Sequence, residues 1–500
     1  MTTFDFLKTV ILGAIFIVAN GKETCTFGRM FVSDRLSAKV AALDLDSSTE
    51  VYATVVTPES AGAVITPAIY PSSDAKHVFV NYRSAQGVVR VMKVGITLES
   101  HGDHNDVLKE PPAFLALNTT GDMPTHFTTG FQKTVIFFDG RRTSKSSVLA
   151  FVDTDLSGKG MTQQFQYGPM DPQHGNAAPL ANDFYIVSQP NPGFASGASN
   201  DSLSVGFLVV DKTGRTVYDM NMAGNPDRSC PGYHGHAKYG STDVFGCTGG
   251  FLSVTHDTST NTFTSRQIKY HDSGRRTGTF FEHERQPVIV GQHSGGTPAQ
   301  HSLIRWTAGS PSYEVPRDVL DFGAVRPCSS GFELALGKAF ATLLINGSLM
   351  VYDVTSGWAL RNSVAAVDPF SCNDATRPRM VMGYHRVFLL FPVKKEIVEY
   401  SLSLSTLTKG RTMKTTIEPA AGVITGLSLA DSAATACTDG VVLLESEKAA
   451  VAATKNTTNS TSTTKSLASR TASGGGIQLL LSACMAGGLA AFMAAHGKLV

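Results

Sequence analysis

The sequence predicts an all-β fold, arranged as a single β-propeller of seven or eight blades. Short runs of β-branched and aromatic residues recur from Arg29 to Glu445 between Gly, Asp, Asn and Ser, and helical periodicity is scarce. A strand–turn–strand unit, clearest in Leu344-Ile-Asn-Gly-Ser-Leu-Met-Val-Tyr-Asp, returns roughly every 45–60 residues, which is the spacing of propeller blades. Dividing about 420 residues by that period gives seven or eight units. A pair of β-sandwiches is the alternative, but nothing in the middle of the chain has the composition of a linker.

The elements follow in order. Lys8 precedes the apolar run Thr9–Ala19, and Ala19 and Gly21 are small residues placed for cleavage before Lys22, so residues 1–21 read as a secretory signal peptide. Residues 22–446 hold the strand runs, among them His77-Val-Phe-Val-Asn-Tyr, Thr134-Val-Ile-Phe-Phe-Asp, Val205-Gly-Phe-Leu-Val-Val-Asp and Arg386-Val-Phe-Leu-Leu-Phe. Residues 447–473 are Ser/Thr/Asn-rich with little to bury, which predicts a disordered stalk. Residues 474–500 open on small residues and carry the apolar stretch Ile477–Ala495 almost to the end of the chain. That layout reads as a GPI-attachment signal, with Ser466, Ser469 or Ser473 as the attachment residue. A transmembrane tail is the competing reading, since the stretch just reaches across a bilayer. Either places the body outside the cell, tethered to a membrane through its C-terminus.

Composition agrees. Net charge is +1 with 17 % charged residues, so nucleic acid is a poor partner. Five sequons, at Asn118, Asn200, Asn346, Asn456 and Asn459, suit a glycosylated secreted chain. Cys484 lies in the apolar tail, leaving six cysteines, an even number for an oxidising compartment. Sequence neighbours suggest Cys230–Cys247 and Cys328–Cys372, with Cys25–Cys437 tying start to end. Six cysteines allow 15 connectivities, so the pairing stays open.

The stretch with the most chemistry is His101-Gly102-Asp103-His104-Asn105-Asp106. Imidazole and carboxylate together suit Zn²⁺ at about 2.0–2.2 Å, whereas Mg²⁺ or Ca²⁺ would want mostly oxygen. Other histidines follow the blade period. Pro124-Thr-His126, Pro172-Gln-His174-Gly and Gly232-Tyr-His234-Gly all precede or open strand runs, and the steps from 126 to 174 to 234 are each about one blade. Equivalent positions of successive blades converge on the channel, so these imidazoles are expected to face one another there, with the 101–106 loop folding over them. His256, His271, His283, His293, His301 and His385 are expected as ordinary hydrogen-bonded turn or core residues, and His236 as a neighbour of the site or exposed.

The segments Gly28-Arg-Met-Phe-Val-Ser-Asp through His101-Gly-Asp-His, Pro124-Thr-His, Ile136-Phe-Phe-Asp-Gly, Gln173-His-Gly-Asn-Ala-Ala-Pro and Cys230-Pro-Gly-Tyr-His-Gly-His-Ala resemble the periplasmic AztD-type zinc metallochaperones. The resemblance spans most of Lys22–Glu445. It implies a zinc-binding β-propeller outside the cytoplasm that hands its ion to a membrane zinc transporter. By position it makes His101, Asp103, His104, His126, His174 and His234 candidate ligands or their neighbours, and Cys230–Cys247 a disulfide. The chain departs from the family pattern at Gln173 and Asn105, and in its sequons and anchor tail.

Zinc capture and transfer by a monomer, without catalysis, is therefore the first functional expectation. A metal-dependent hydrolase or lactonase, with Asp103, Asp106 or Glu110 as base, is the second, although no Gly-x-Ser-x-Gly or His-Glu-x-x-His stands in the sequence. An adhesion propeller without a metal is the third.

Overall fold

The computed structural model describes residues 28–45, 51–56, 65–100, 105–219, 229–271, 274–295, 299–308, 320–402 and 406–425. The signal peptide, stalk and tail, Cys25, Cys437, Asn456, Asn459, and His101, Asp103 and His104 of the acidic-imidazole run all lie outside these residues.

Eight four-stranded antiparallel sheets form the ring of an eight-bladed propeller. Six blades take four consecutive strands from the chain, and a seventh does so around an inserted hairpin. Their innermost strands are Ala68–Pro71, Pro124–Gly130, Ala177–Pro179, His236–Tyr239, Arg275–His283, Pro327–Phe332 and Arg379–Gly383. In most steps round the ring the innermost strand of one blade lies against that of the next. The blade that closes the ring is shared by both ends of the folded body. Its innermost strand is Pro419–Thr425, which pairs with Arg29–Asp34, followed outward by Lys39–Asp44 and Val51–Val56.

The burial pattern explains why the runs read as continuous rather than alternating. A second strand such as Lys133–Phe138 or Ala339–Leu344 is buried at every position, because its blade is covered by neighbouring blades on both faces. An outermost strand such as Ala359–Ala365 is mostly exposed. Phe137, Val135 and Val148 of one blade share a cluster with Tyr185 and Val187 of the next. Each fully buried large apolar side chain of this kind contributes roughly 1.5–3 kcal/mol.

The recurrent Asp has a defined task. It closes the third strand and accepts hydrogen bonds from the turn that follows. Asp211 accepts from the Thr213 and Arg215 amides, Asp257 from Ser259, and Asp353 from Thr355 and Ser356. The bond from the Thr213 hydroxyl heads the causes that bring the Asp211 carboxyl down to about 2. These Asx turns set the chain for its return along the outer edge.

One blade departs from the plan. Between its third strand, Gly87–Lys93, and its fourth, Ala113–Gly121, it inserts a hairpin of Ile96–Ser100 paired with Asn105–Lys109. Residues 101–104 fall between these two strands. Gly87, at the other end of the third strand, abuts Pro124 so closely that a Cβ there would stand 2.3 Å from the proline ring. The hairpin thus springs from the end of the blade opposite Pro124 and His126, roughly 20 Å away along the strand.

Arg29 anchors the base of that hairpin. It is 1 % exposed, its Nε donates to Asp44 at 2.6 Å, and its Nη1 donates to the Val94 and Glu110 carbonyls. One buried guanidinium therefore joins the closing blade to the inserted hairpin. Arg29→Met leaves the Asp44 carboxylate buried beside a distant Lys109 at 3.8 Å. The expected loss is about 3–5 kcal/mol of stability, measured by denaturant unfolding.

Candidate metal centre

Three histidines meet at the end of the channel where the innermost strands begin. His126 is the third residue of Pro124–Gly130, His174 precedes Ala177–Pro179, and His234 precedes His236–Tyr239. They come from three consecutive blades. As the blade period predicted, they are brought together, but side by side along one arc of the mouth rather than across the channel.

The His126 and His174 Nε2 atoms are 3.3 Å apart. Two imidazole nitrogens bound at about 2.0–2.1 Å to one tetrahedral Zn²⁺ stand about 3.3 Å apart, so the pair already has the span of a two-nitrogen bite. The His234 ring centroid lies 5.6 Å from that of His174. Among the described residues no three His, Cys, Asp or Glu side chains already close around one point, so the third imidazole flanks the pair without completing a shell. His126 and His234 are 9 % and 8 % exposed; the His174 side chain, at 22 %, is the most open of the three.

The tautomers follow from the partners. A carboxylate or carbonyl oxygen only accepts, so the ring nitrogen facing it carries the proton. His174 Nδ1 donates to Asp139 Oδ2 at 2.8 Å, and His234 Nδ1 donates to the Gly278 carbonyl at 2.7 Å. In both rings Nε2 is thereby left as the metal-binding atom. A carboxylate behind an imidazole fixes its orientation and raises its basicity. Arg83 also reaches Asp139 Oδ2, at 3.0 Å, and keeps that carboxylate in place.

Local sequence holds each ring. A Cβ at Gly175 would meet Ser188 Oγ at 2.2 Å and the Phe137 ring at 2.5 Å, so only glycine lets the chain turn past Phe137 and present His174. Gly235 has φ +97° and lies against Gly278, which supplies the carbonyl for His234. The Cys230–Cys247 disulfide clamps this segment to the blade beneath it, where the His234 amide donates to Gly246. Gln173, buried, donates to the Ser188 carbonyl and accepts from Ser204, so it holds the loop. Beside the site, burial pushes the Tyr70 hydroxyl up to about 12 despite the nearby Arg83 charge, keeping it a neutral donor to the Thr125 carbonyl.

Other sequence expectations resolve individually. His236 bonds Asp243 at 2.8 Å inside its own blade. His256 stacks on Phe263 and bonds Asn261, and His283 faces the Leu334 carbonyl. Cys328–Cys372 is a disulfide. The described sequons Asn118, Asn200 and Asn346 are all exposed. Asp139, Arg83 and Gly278 were not singled out as functional by the sequence reading. Asp139 lies in the Ile136-Phe-Phe-Asp-Gly segment, whose match to the zinc metallochaperones was its one available signal.

No family model matches the sequence. The zinc chaperone AztD of Citrobacter koseri is 26 % identical over 404 residues, covering 78 % of this chain and 85 % of that protein. The crystal structure of Citrobacter koseri AztD superposes with a TM-score of 0.65 at 24 % identity, covering 80 % of this chain and 98 % of that one. The structure of apo AztD from Citrobacter koseri gives the same TM-score at 23 % identity. The solved structures establish a shared propeller.

Asp139→Asn keeps the shape of the residue behind His174 while removing its charge. The expected result is a roughly 10–100-fold weaker affinity for Zn²⁺ with an unchanged fold, measured by chelator competition and circular dichroism.

Proposed function

We propose that this chain, a relative of AztD in sequence and in fold, captures Zn²⁺ at the propeller mouth through His126, His174 and His234 and passes it on. The observation that carries the reading is the 3.3 Å separation of two Nε2 atoms, one of them backed by a carboxylate. With His174 Nδ1 protonated toward Asp139, its Nε2 is an acceptor, and a hydrogen bond with His126 needs one proton between the two rings. A divalent ion takes the place of that hydrogen bond: His126 binds through Nε2 as neutral imidazole, its proton moving to Nδ1. Three imidazoles leave one position of a tetrahedral ion for an exchangeable ligand, which transfer requires. His174, the most open ring, is where an acceptor group would enter.

The setting we assign is the secretory pathway and the cell surface, with the body tethered through its C-terminal tail. The reading is supported by the two disulfides and by the exposure of Asn118, Asn200 and Asn346, all suited to an oxidising, glycosylating compartment. A membrane transporter is the acceptor the reading calls for, and the propeller is taken to act as a monomer. His101, Asp103 and His104 are retained as candidate zinc ligands on the strength of the sequence alone.

Zinc titration of the purified protein against a chelator of known affinity tests the reading. The expected result is binding that weakens on acidification, because the ligating nitrogens must be unprotonated, and that drops at least tenfold in His126→Ala/His174→Ala. Unchanged affinity in that variant, or turnover of ester or lactone substrates that needs the metal, contradicts it.

A further inference from the structure

We infer that the arc of the channel mouth facing the histidines is a binding site for a small multivalent oxyanion, a phosphate or a polycarboxylate, held by Arg326, Arg377 and Arg379. In a ring of eight the blade of His174 is diametrically opposite the blade that Arg379 opens. Arg326 immediately precedes the innermost strand Pro327–Phe332, and Arg377 and Arg379 lead into and begin Arg379–Gly383. These are the same positions that the histidines occupy on their own blades, so both groups belong to one end of the propeller.

The two arginine segments are fastened together. Cys328 lies two residues after Arg326 and Cys372 five before Arg377, and they are joined as a disulfide. The Ile345 amide donates to Arg326 O and the Phe370 amide to Ile345 O, which ties the same segments through the backbone. The chain thus fixes three like charges close together, an arrangement that costs energy unless a counter-charge offsets it.

The counter-charge is incomplete. Among the described residues Arg377 Nε and Arg379 Nε are both buried without an acceptor, and Nδ1 of His301, beside Arg326, is buried without a partner. Asp374, an acid beside Arg377, turns its Oδ1 to the Thr376 amide and hydroxyl, each at 2.7 Å, while Arg377 Nη1 donates to the Asp374 carbonyl. Burial first and the Arg377 charge second bring the Arg379 guanidinium down to about 10. Burial, then the charge of Arg326, lowers Arg377 and likewise His301. Guanidinium N–H groups with no acceptor cost free energy comparable to a lost charged hydrogen bond, and a planar or tetrahedral oxyanion is the ligand whose geometry satisfies several at once.

The test uses the metal-free full chain and follows thermal stability and calorimetric binding with inorganic phosphate and with citrate, against sodium chloride at matched ionic strength. The expected result is saturable binding of one of the two anions, weakened at least tenfold in Arg377→Gln/Arg379→Gln, with zinc affinity within twofold of the parent. Response to citrate alone assigns carboxylates, and to phosphate alone the phosphate class. If the double variant does not fold, Arg326→Gln serves as the second variant with the same expected loss. Stabilisation no greater than chloride gives, or unchanged anion binding in a folded variant, overturns the inference. Because the zinc affinity is read separately, failure here is distinguishable from failure of the zinc site.

Discussion

Everything at the channel mouth depends on ring closure. Pro419–Thr425, from the opposite end of the described sequence, follows the neighbouring last blade and becomes the innermost strand beside Arg29–Asp34. The pairing removes an open sheet edge and sets the angular position of every other blade. It also sets the position of the histidines. Three side chains 48 and 60 residues apart in sequence, from 126 to 174 to 234, become neighbours only because three blades are held at fixed rotation about one axis. A propeller that opened would lose the site before it lost its sheets.

Within that ring the site is made by close approach rather than by a dedicated loop. Gly175 and Gly235 let the backbone pass where a Cβ would run into Ser188 and Phe137 or into the Gly278 carbonyl, and a disulfide keeps the His234 segment on its blade. The hydrogen bonds to Asp139 and Gly278 then choose which nitrogen faces outward. The result is a rigid pair with a third ring beside it, partly shielded, and open toward His174. The guanidiniums on the facing arc give the same mouth a second kind of chemistry.

Much of this was legible in the sequence. Continuous apolar runs such as Lys133–Phe138 mark strands covered on both faces, and the terminal Asp of the third strand reappears as the acceptor of an Asx turn. The blade count stayed between seven and eight because the period is uneven. Innermost strands begin 59 residues apart between Ala177 and His236 but 39 apart between His236 and Arg275. The inserted hairpin stretches another blade. His126, His174 and His234 stood out because their spacing is that of the blades themselves. Asp139 did not, because its role exists only across a blade boundary, 35 residues from the ring it supports. The side-by-side arrangement of the three rings likewise follows from blade rotation, which spacing alone does not encode. The acidic-imidazole run was the strongest local signal, yet its hairpin starts from the other end of the propeller.

X-ray absorption at the zinc edge of the loaded protein addresses the central claim most directly, since it reports the atoms around the ion without any substitution. The account predicts a first shell at about 2.0–2.1 Å with the multiple-scattering pattern of imidazole from more than one histidine and no sulfur at about 2.3 Å. A shell of oxygen alone, or one containing sulfur, would contradict it.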